Sequence, residues 1–215
     1  MRPNGTSQEI VNPQEVARKL KADYSHGIMD RTTKPLEDVC ELCWRLEQSE
    51  TRIQEFLTEI ADLISKDFGI ASVTIALRDP VDKLYRYKVV NGIDDEAVDE
   101  FKRIAYTKAQ VNDSSTYPGH EISSHTKIYL TEDHPYAAGE ESTYRRPGLI
   151  GMKRRALDDS LEADYLDFFF YGSDGEILGW IETSGTRLRK LPDAATIRWL
   201  ELIAILVGHA VRGKK

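Results

Sequence analysis

The chain has 215 residues, room for one large domain or two small ones, and its 40% hydrophobic and 30% charged content excludes a disordered or fibrous polymer. With 29 Lys and Arg against 36 Asp and Glu, the net charge of −7 gives no general attraction to phosphate backbones or anionic lipid, so neither nucleic acid nor membrane is expected as a main partner. The longest unbroken apolar run, residues 202–208, is seven residues against the ~20 that span a bilayer; residues 1–20 hold no signal-peptide core, and Cys40 and Cys43 are the only cysteines, so a cytoplasmic location is expected.

In chain order, residues 1–34 read as a polar extension with one short helix, started by Asn12-Pro13-Gln14-Glu15 and ending near Tyr24, whose thin stripe of Val16 and Leu20 docks loosely. From 35 to 68, Leu36, Val39, Cys43, Leu46, Ile53, Leu57, Ile60 and Ile64 recur at alternating spacings of three and four, interrupted only by Glu50, and predict one long helix. Phe56 and Leu63 widen the stripe in its second half, whereas the narrow first half asks for another helix and predicts a homodimer through 35–68. After Gly69 the period changes to two. Val73, Ile75 and Leu77 alternate with smaller or polar residues, and a strand from Leu84 to Val90 returns after Asp79-Pro80-Val81-Asp82.

Asp94 caps a predicted helix from Asp95 to about Tyr106, and a strand is expected over Glu121–Leu130. Residues 131–160 form a long polar stretch of the kind that makes binding loops or lids. Strands over Tyr165–Tyr171 and Glu176–Thr183 flank Gly172-Ser173-Asp174-Gly175, and Leu191-Pro192-Asp193 opens a closing helix to about Val211 that is apolar around more than half its circumference. The order predicts one α+β domain, residues 35–215: an antiparallel sheet with the long helix and the last helix on one face and residues 94–165 closing the other.

The run from Gly172 through Gly179-Trp180-Ile181-Glu182, then Lys190-Leu191-Pro192-Asp193 and an amphipathic helix, resembles the end of GAF domains; the helix ending near Gly69 followed by the 71–79 strand is similar to their start. The segment from Tyr144-Arg145-Arg146-Pro147 to Asp164-Tyr165 resembles GAF modules of archaeal sensor kinases. The resemblance covers roughly residues 50–213 and implies a six-stranded sheet with a small-molecule pocket on one face and a helical, often dimeric, layer on the other. The cyclic-nucleotide-binding residue set of the family has no match, no cysteine stands where bilin-binding members attach their chromophore, and both cysteines precede the sheet, unlike those of free methionine sulfoxide reductases of this fold.

Strand alternation puts Thr74, Ala76 and Arg78 on the face opposite the helices, with Tyr85 and Tyr87 beside them and Tyr129, Trp180 and Glu182 from the remaining strands. Aromatic rings mixed with a few convergent polar groups suit a small ligand, although the same residues would also make a filled second core. The ligand-binding candidates are therefore Thr74, Arg78, Tyr85, Tyr87, Tyr129, Trp180 and Glu182.

Other constellations carry less. Cys40 and Cys43 share a helix face and would supply half a zinc site or simply pack in the seam. Arg145, Arg146, Lys153, Arg154 and Arg155 would clamp an anion or form a solvated loop beside Glu140 and Glu141. The five histidines show no metal-ligand spacing, Ser123-Ser124-His125 lacks a nucleophile elbow, and no phosphate-binding glycine motif or kinase core is present. No catalytic residue, metal or particular cofactor is assigned. The expected function is a sensory, small-molecule-binding domain in signal transduction that passes its output to another protein; a small enzyme using the cavity, or a dimerisation scaffold with a filled pocket, are the alternatives.

Overall fold

The computed structural model describes Gln14 and residues 17–22, 33–47, 52–133 and 146–213. Residues 17–22 are helical and Leu20 is exposed, while Asn12, Pro13, Glu15, Val16 and Tyr24, on which the rest of the first predicted helix rests, lie outside the described residues.

The predicted 35–68 helix is two helices. Helix α1 (Thr33–Glu47) and helix α2 (Ile53–Asp67) are separate, and Glu50 lies outside the described residues between them. Lys34 pairs with Asp67 at 2.8 Å, and Arg45 pairs with Glu59. Early residues of α1 thus meet late residues of α2, so the two run antiparallel, and the stripe that was to meet a second chain meets this one. Val39 and Leu42 are buried in the same core as Phe56, Leu57, Ile60 and Ile64, with Cys43 and Leu46 packed against its edge. The premise of a dimer through the seam is thereby removed; of its first half only Leu36, 45% exposed, stays wet.

The sheet is antiparallel and has seven strands where the resemblance implied six. In chain order they are β1 (Val73–Arg78), β2 (Tyr85–Asn91), β3 (Ala105–Tyr106), β4 (His120–Glu121), β5 (Thr126–Tyr129), β6 (Tyr165–Tyr171) and β7 (Ile177–Thr183), arranged β3-β2-β1-β7-β6-β5-β4. The turn between β1 and β2 forms as its sequence requires, the Asp79 carboxylate accepting from the amides of Val81 (2.8 Å) and Asp82 (3.4 Å). Two predicted elements are shorter. Helix α3 (Asp95–Arg103) ends before the predicted Tyr106, because Ala105 and Tyr106 leave it to pair with Arg86 and Tyr85. The strand expected over 121–130 is split between β4 and β5 by a turn in which the Ser123 hydroxyl accepts from the amides of His125 and Thr126. A four-residue helix α4 (Lys108–Val111) lies between β3 and β4, capped by the Thr107 hydroxyl.

Alternation divides the sheet into two faces. Val73, Ile75, Leu166, Phe168, Phe170 and Ile181 pack under α1, α2 and the closing helix α5 (Ala194–Gly213). Gly179 is fixed by this layer: a Cβ there would lie 2.1 Å from the Ala76 carbonyl oxygen and 2.6 Å from the Phe170 ring. Asp193 starts α5 by accepting from the Thr196 amide at 2.8 Å. This helix is long and apolar enough to cross a membrane by length and composition, yet Leu200, Ile203, Ala204 and Val207 are fully buried in the core. It is not sandwiched on both sides, however, since Leu202 and Ile205 stay exposed on its outer face.

Truncating the seam should therefore cost the single chain its stability. Leu42→Ala is expected to lower unfolding free energy by about 2–5 kcal/mol, with a chemical-denaturation midpoint shift that is the same at low and high protein concentration; a shift seen only at low concentration would place Leu42 in an interface between chains.

Candidate functional site

The second face of the sheet carries both a packed aromatic cluster and a cavity. Ala76, Tyr85, Tyr87, Phe101, Phe169 and Trp180 form a small buried core. Beside it lies a cavity of about 470 Å³, within the range of small-molecule sites. Residues 93–117 wall it on one side, the 146–163 segment and the 184–189 loop on another, and Lys127, Tyr129, Tyr165, Asp167, Phe169, Trp180 and Glu182 form its sheet floor.

Of the seven candidate residues, four line this cavity: Tyr87, Tyr129, Trp180 and Glu182. Thr74 lies on the same face, buried and opposite Glu182 in the β1–β7 register, but does not border the cavity. Tyr85 is buried to one side, donating from its hydroxyl to the Ile177 carbonyl at 2.9 Å, and borders a smaller cavity of about 230 Å³ instead. Arg78 borders neither cavity and reaches Glu176 at 3.4 Å.

Sequence reasoning missed several lining residues. Tyr165, Asp167 and Phe169 alternate along β6 on the cavity side, and the same period-two reading that placed Trp180 and Glu182 would have found them. Tyr106 reaches the cavity from the two-residue strand β3, and Tyr117, Arg146 and Arg189 from turns and loops, none of which a periodicity marks.

The rings are arranged as a wall. Tyr87 meets Trp180 edge-on at 6.2 Å, Tyr106 lies 6.1 Å from Trp180, and Phe169 closes the other side at 6.2 Å. Tyr129 and Tyr165 stack in parallel at 4.5 Å, tilted by only 13°. Within this wall stand two carboxyl groups. Asp167 and Glu182 are direct register partners on β6 and β7, which sets their Cβ atoms about 5 Å apart. Glu182 accepts from the Tyr87 hydroxyl at 2.7 Å, whereas the Asp167 Oδ1 is buried and unpartnered among the described residues. Burial raises both carboxyl groups above the ordinary carboxylate range; Glu182 raises Asp167 further, Lys127 pulls it back, and the Tyr87 hydrogen bond moderates Glu182. Burial raises the Tyr87, Tyr106, Tyr129 and Tyr165 hydroxyls as well, so they stay protonated donors.

The basic loop divides into different roles. Arg154 is structural: it pairs with Asp164 and with Glu132, each at 2.9 Å, while Asp164, its side chain fully buried, also accepts from the amides of Thr131 and Leu161. This latch ties the 146–164 wall to the end of β5. Arg146 and Arg189 line the cavity, Lys153 and Arg155 are exposed, and Arg145 lies outside the described residues with Tyr144, His134, Glu140 and Glu141. Cys40 is exposed and Cys43 half-buried, both on α1 across the sheet from the cavity. Among the described residues no group of His, Cys, Asp and Glu has the geometry to hold a metal ion.

No family model matches the chain and no curated protein matches it. Solved structures do. The GAF domain of a phosphoenolpyruvate-protein phosphotransferase from Coxiella burnetii aligns over 86% of this chain and 96% of its own, with TM-score 0.56 and 9% identity. That of a protein described as a sensor histidine kinase from Pseudomonas syringae pv. tomato aligns over 94% and 93%, with TM-score 0.50 and 10% identity. Free methionine-R-sulfoxide reductase from Neisseria meningitidis, in complex with its substrate, aligns over 85% and 91%, with TM-score 0.51 and 13% identity. The fold is that of GAF domains.

Two buried acids whose protons are held more tightly in the folded than in the unfolded chain favour folding at low pH, and that contribution falls as pH rises from the ordinary carboxylate range toward their raised values. Asp167→Asn and Glu182→Gln should each raise the melting temperature relative to wild type at pH 8 and much less at pH 4, read by calorimetric scans across that range. A variant less stable than wild type at pH 8 would contradict the assignment.

Proposed function

We propose that the chain is a cytoplasmic sensory domain that binds a small molecule in the cavity beside Asp167 and Glu182, carries out no chemistry on it, and passes the bound state to a signalling protein. The observation that carries this reading is the cavity itself: about 470 Å³ of space walled by tyrosines and Trp180, its floor including Asp167, whose buried Oδ1 has no partner among the described residues. A purely structural second core would fill that space, as the neighbouring Tyr85–Trp180 cluster does at 5.5 Å between rings. The solved GAF domains named above include one from a phosphotransferase and one from a protein described as a sensor kinase, which favours a signalling context. Against a catalytic use of the cavity, no cysteine or histidine is among the described residues that line it.

The test is a thermal-shift screen of nucleotides, amino acids, 2-oxoacids and tetrapyrroles. A ligand at 100 times its dissociation constant should add about 2.7 kcal/mol of apparent stability. Trp180→Phe should weaken the compound that binds, and Arg78→Ala, at a residue that borders neither cavity, should leave its affinity unchanged. A compound turned over during the assay would replace the sensor with an enzyme.

We also propose that self-association uses the outer faces of α1 and α5, where Trp44 on α1 is 63% exposed and Leu202 and Ile205 are exposed on α5. Light scattering should show a dimer that Trp44→Glu together with Leu202→Glu converts to a folded monomer. A wild-type chain that is monomeric at high micromolar concentration would end this proposal.

A further inference from the structure

We propose that the ligand of the cavity is an organic cation, a primary amine on a flat apolar body, whose ammonium group sits against Asp167 and Glu182 while the body lies along the aromatic wall. This rests on the reading of the cavity as a ligand site and adds the ligand's charge and shape.

The floor of the cavity leaves one carboxyl oxygen unpartnered among the described residues. Asp167 is 7% exposed, and its Oδ1 has no hydrogen-bond donor among the described residues, while the Glu182 carboxylate receives the Tyr87 hydroxyl. Two adjacent buried carboxyl groups need either a shared proton or a cation, and a charged N–H donor seated against Asp167 satisfies its unpartnered oxygen and the paired charge together. An ammonium group has three donors to divide between them.

The surroundings favour the same class. Tyr87, Tyr106, Phe169 and Trp180 present π-systems around the acids, and a desolvated cation gains from ring faces as well as from carboxylates. Tyr129 and Tyr165, stacked and nearly parallel beside Asp167, offer a flat surface for a flat body. An anion would bring negative charge next to two carboxyl groups whose own ionised forms burial already disfavours. Lys127, the one lysine lining the cavity among the described residues, stands 6.0 Å over the Phe169 ring and offsets Asp167 rather than leaving a free positive site. Arg146 and Arg189 belong to the wall segments rather than to the sheet floor, which suits them to a polar tail of the ligand and not to its buried end.

Three isosteric probes separate the possibilities: tryptamine, tryptophol and indole-3-acetate, which share one ring system and differ in charge. Titration calorimetry and thermal shift on the full chain should show binding of tryptamine, with tryptophol and indole-3-acetate weaker by roughly tenfold or more. Asp167→Asn and Glu182→Gln should each reduce tryptamine affinity by a similar factor while remaining folded. If indole-3-acetate or tryptophol binds as well as tryptamine, the cation assignment fails and the cavity remains a ligand site of another class. If none of the three binds, the cation assignment also fails, and the sensor reading is then judged by the wider screen alone. Tryptamine binding that neither variant weakens would place the amine elsewhere on this acidic chain and overturn the proposal.

Discussion

The structure depends on a sheet whose two faces bury different chemistry. Along β6, Leu166, Phe168 and Phe170 go to the helix side, and Tyr165, Asp167 and Phe169 go to the other. Strand geometry allows nothing else, since successive side chains alternate. The helix side is a buried apolar core that fixes the strands in place. Because those strands cannot shift, the second face holds its acids and rings at defined positions even though that face is only partly filled. A one-residue slip of β6 would drive Asp167 into the core and Phe168 into the cavity, so the hydrophobic face sets the register that the polar face uses.

Closing the cavity is a separate task, and charged groups perform it. The 146–164 segment leaves its apolar side chains half-buried or exposed, and it is fastened by Asp164, which gathers Arg154 and the amides of Thr131 and Leu161 at one fully buried carboxylate. Arg154 reaches on to Glu132, so a single guanidinium links the segment to the residues just after β5. Fork geometry lets one arginine serve two carboxylates at once, which a lysine would not reproduce. The wall of the cavity is therefore held by directional polar contacts, and the floor by apolar packing.

The helix layer shows how a periodic pattern can be right about a face and wrong about a partner. Val39, Leu57, Ile60 and Ile64 lie on the apolar stripe, as their spacing requires, and Leu42, which that spacing did not include, is buried with them. The stripe is closed on itself because α1 turns back along α2, with Lys34 on Asp67 at one end and Arg45 on Glu59 at the other. What stays apolar and exposed is the outer face, with Trp44, Leu202 and Ile205.

Composition and periodicity by themselves determined the class α+β, the antiparallel order of the hairpins, the closing helix and its Asp193 cap, and the side of the sheet on which Tyr87, Tyr129, Trp180 and Glu182 stand. These are local properties, set by a repeat of two or near 3.6 and by turn residues within a few positions of each other. Only the tertiary structure decided that 35–68 is a hairpin, that Ala105 and Tyr106 leave their helix to extend the sheet, and that Arg78 and Tyr85 stand outside the cavity while Tyr106, Arg146 and Arg189 border it. It alone brought Asp167 beside Glu182 and Arg154 onto Asp164. Each of those depends on contacts between residues distant in the chain, where the free energy of packing and of satisfying buried charge outweighs local preference, and no spacing along the sequence records which distant partner wins.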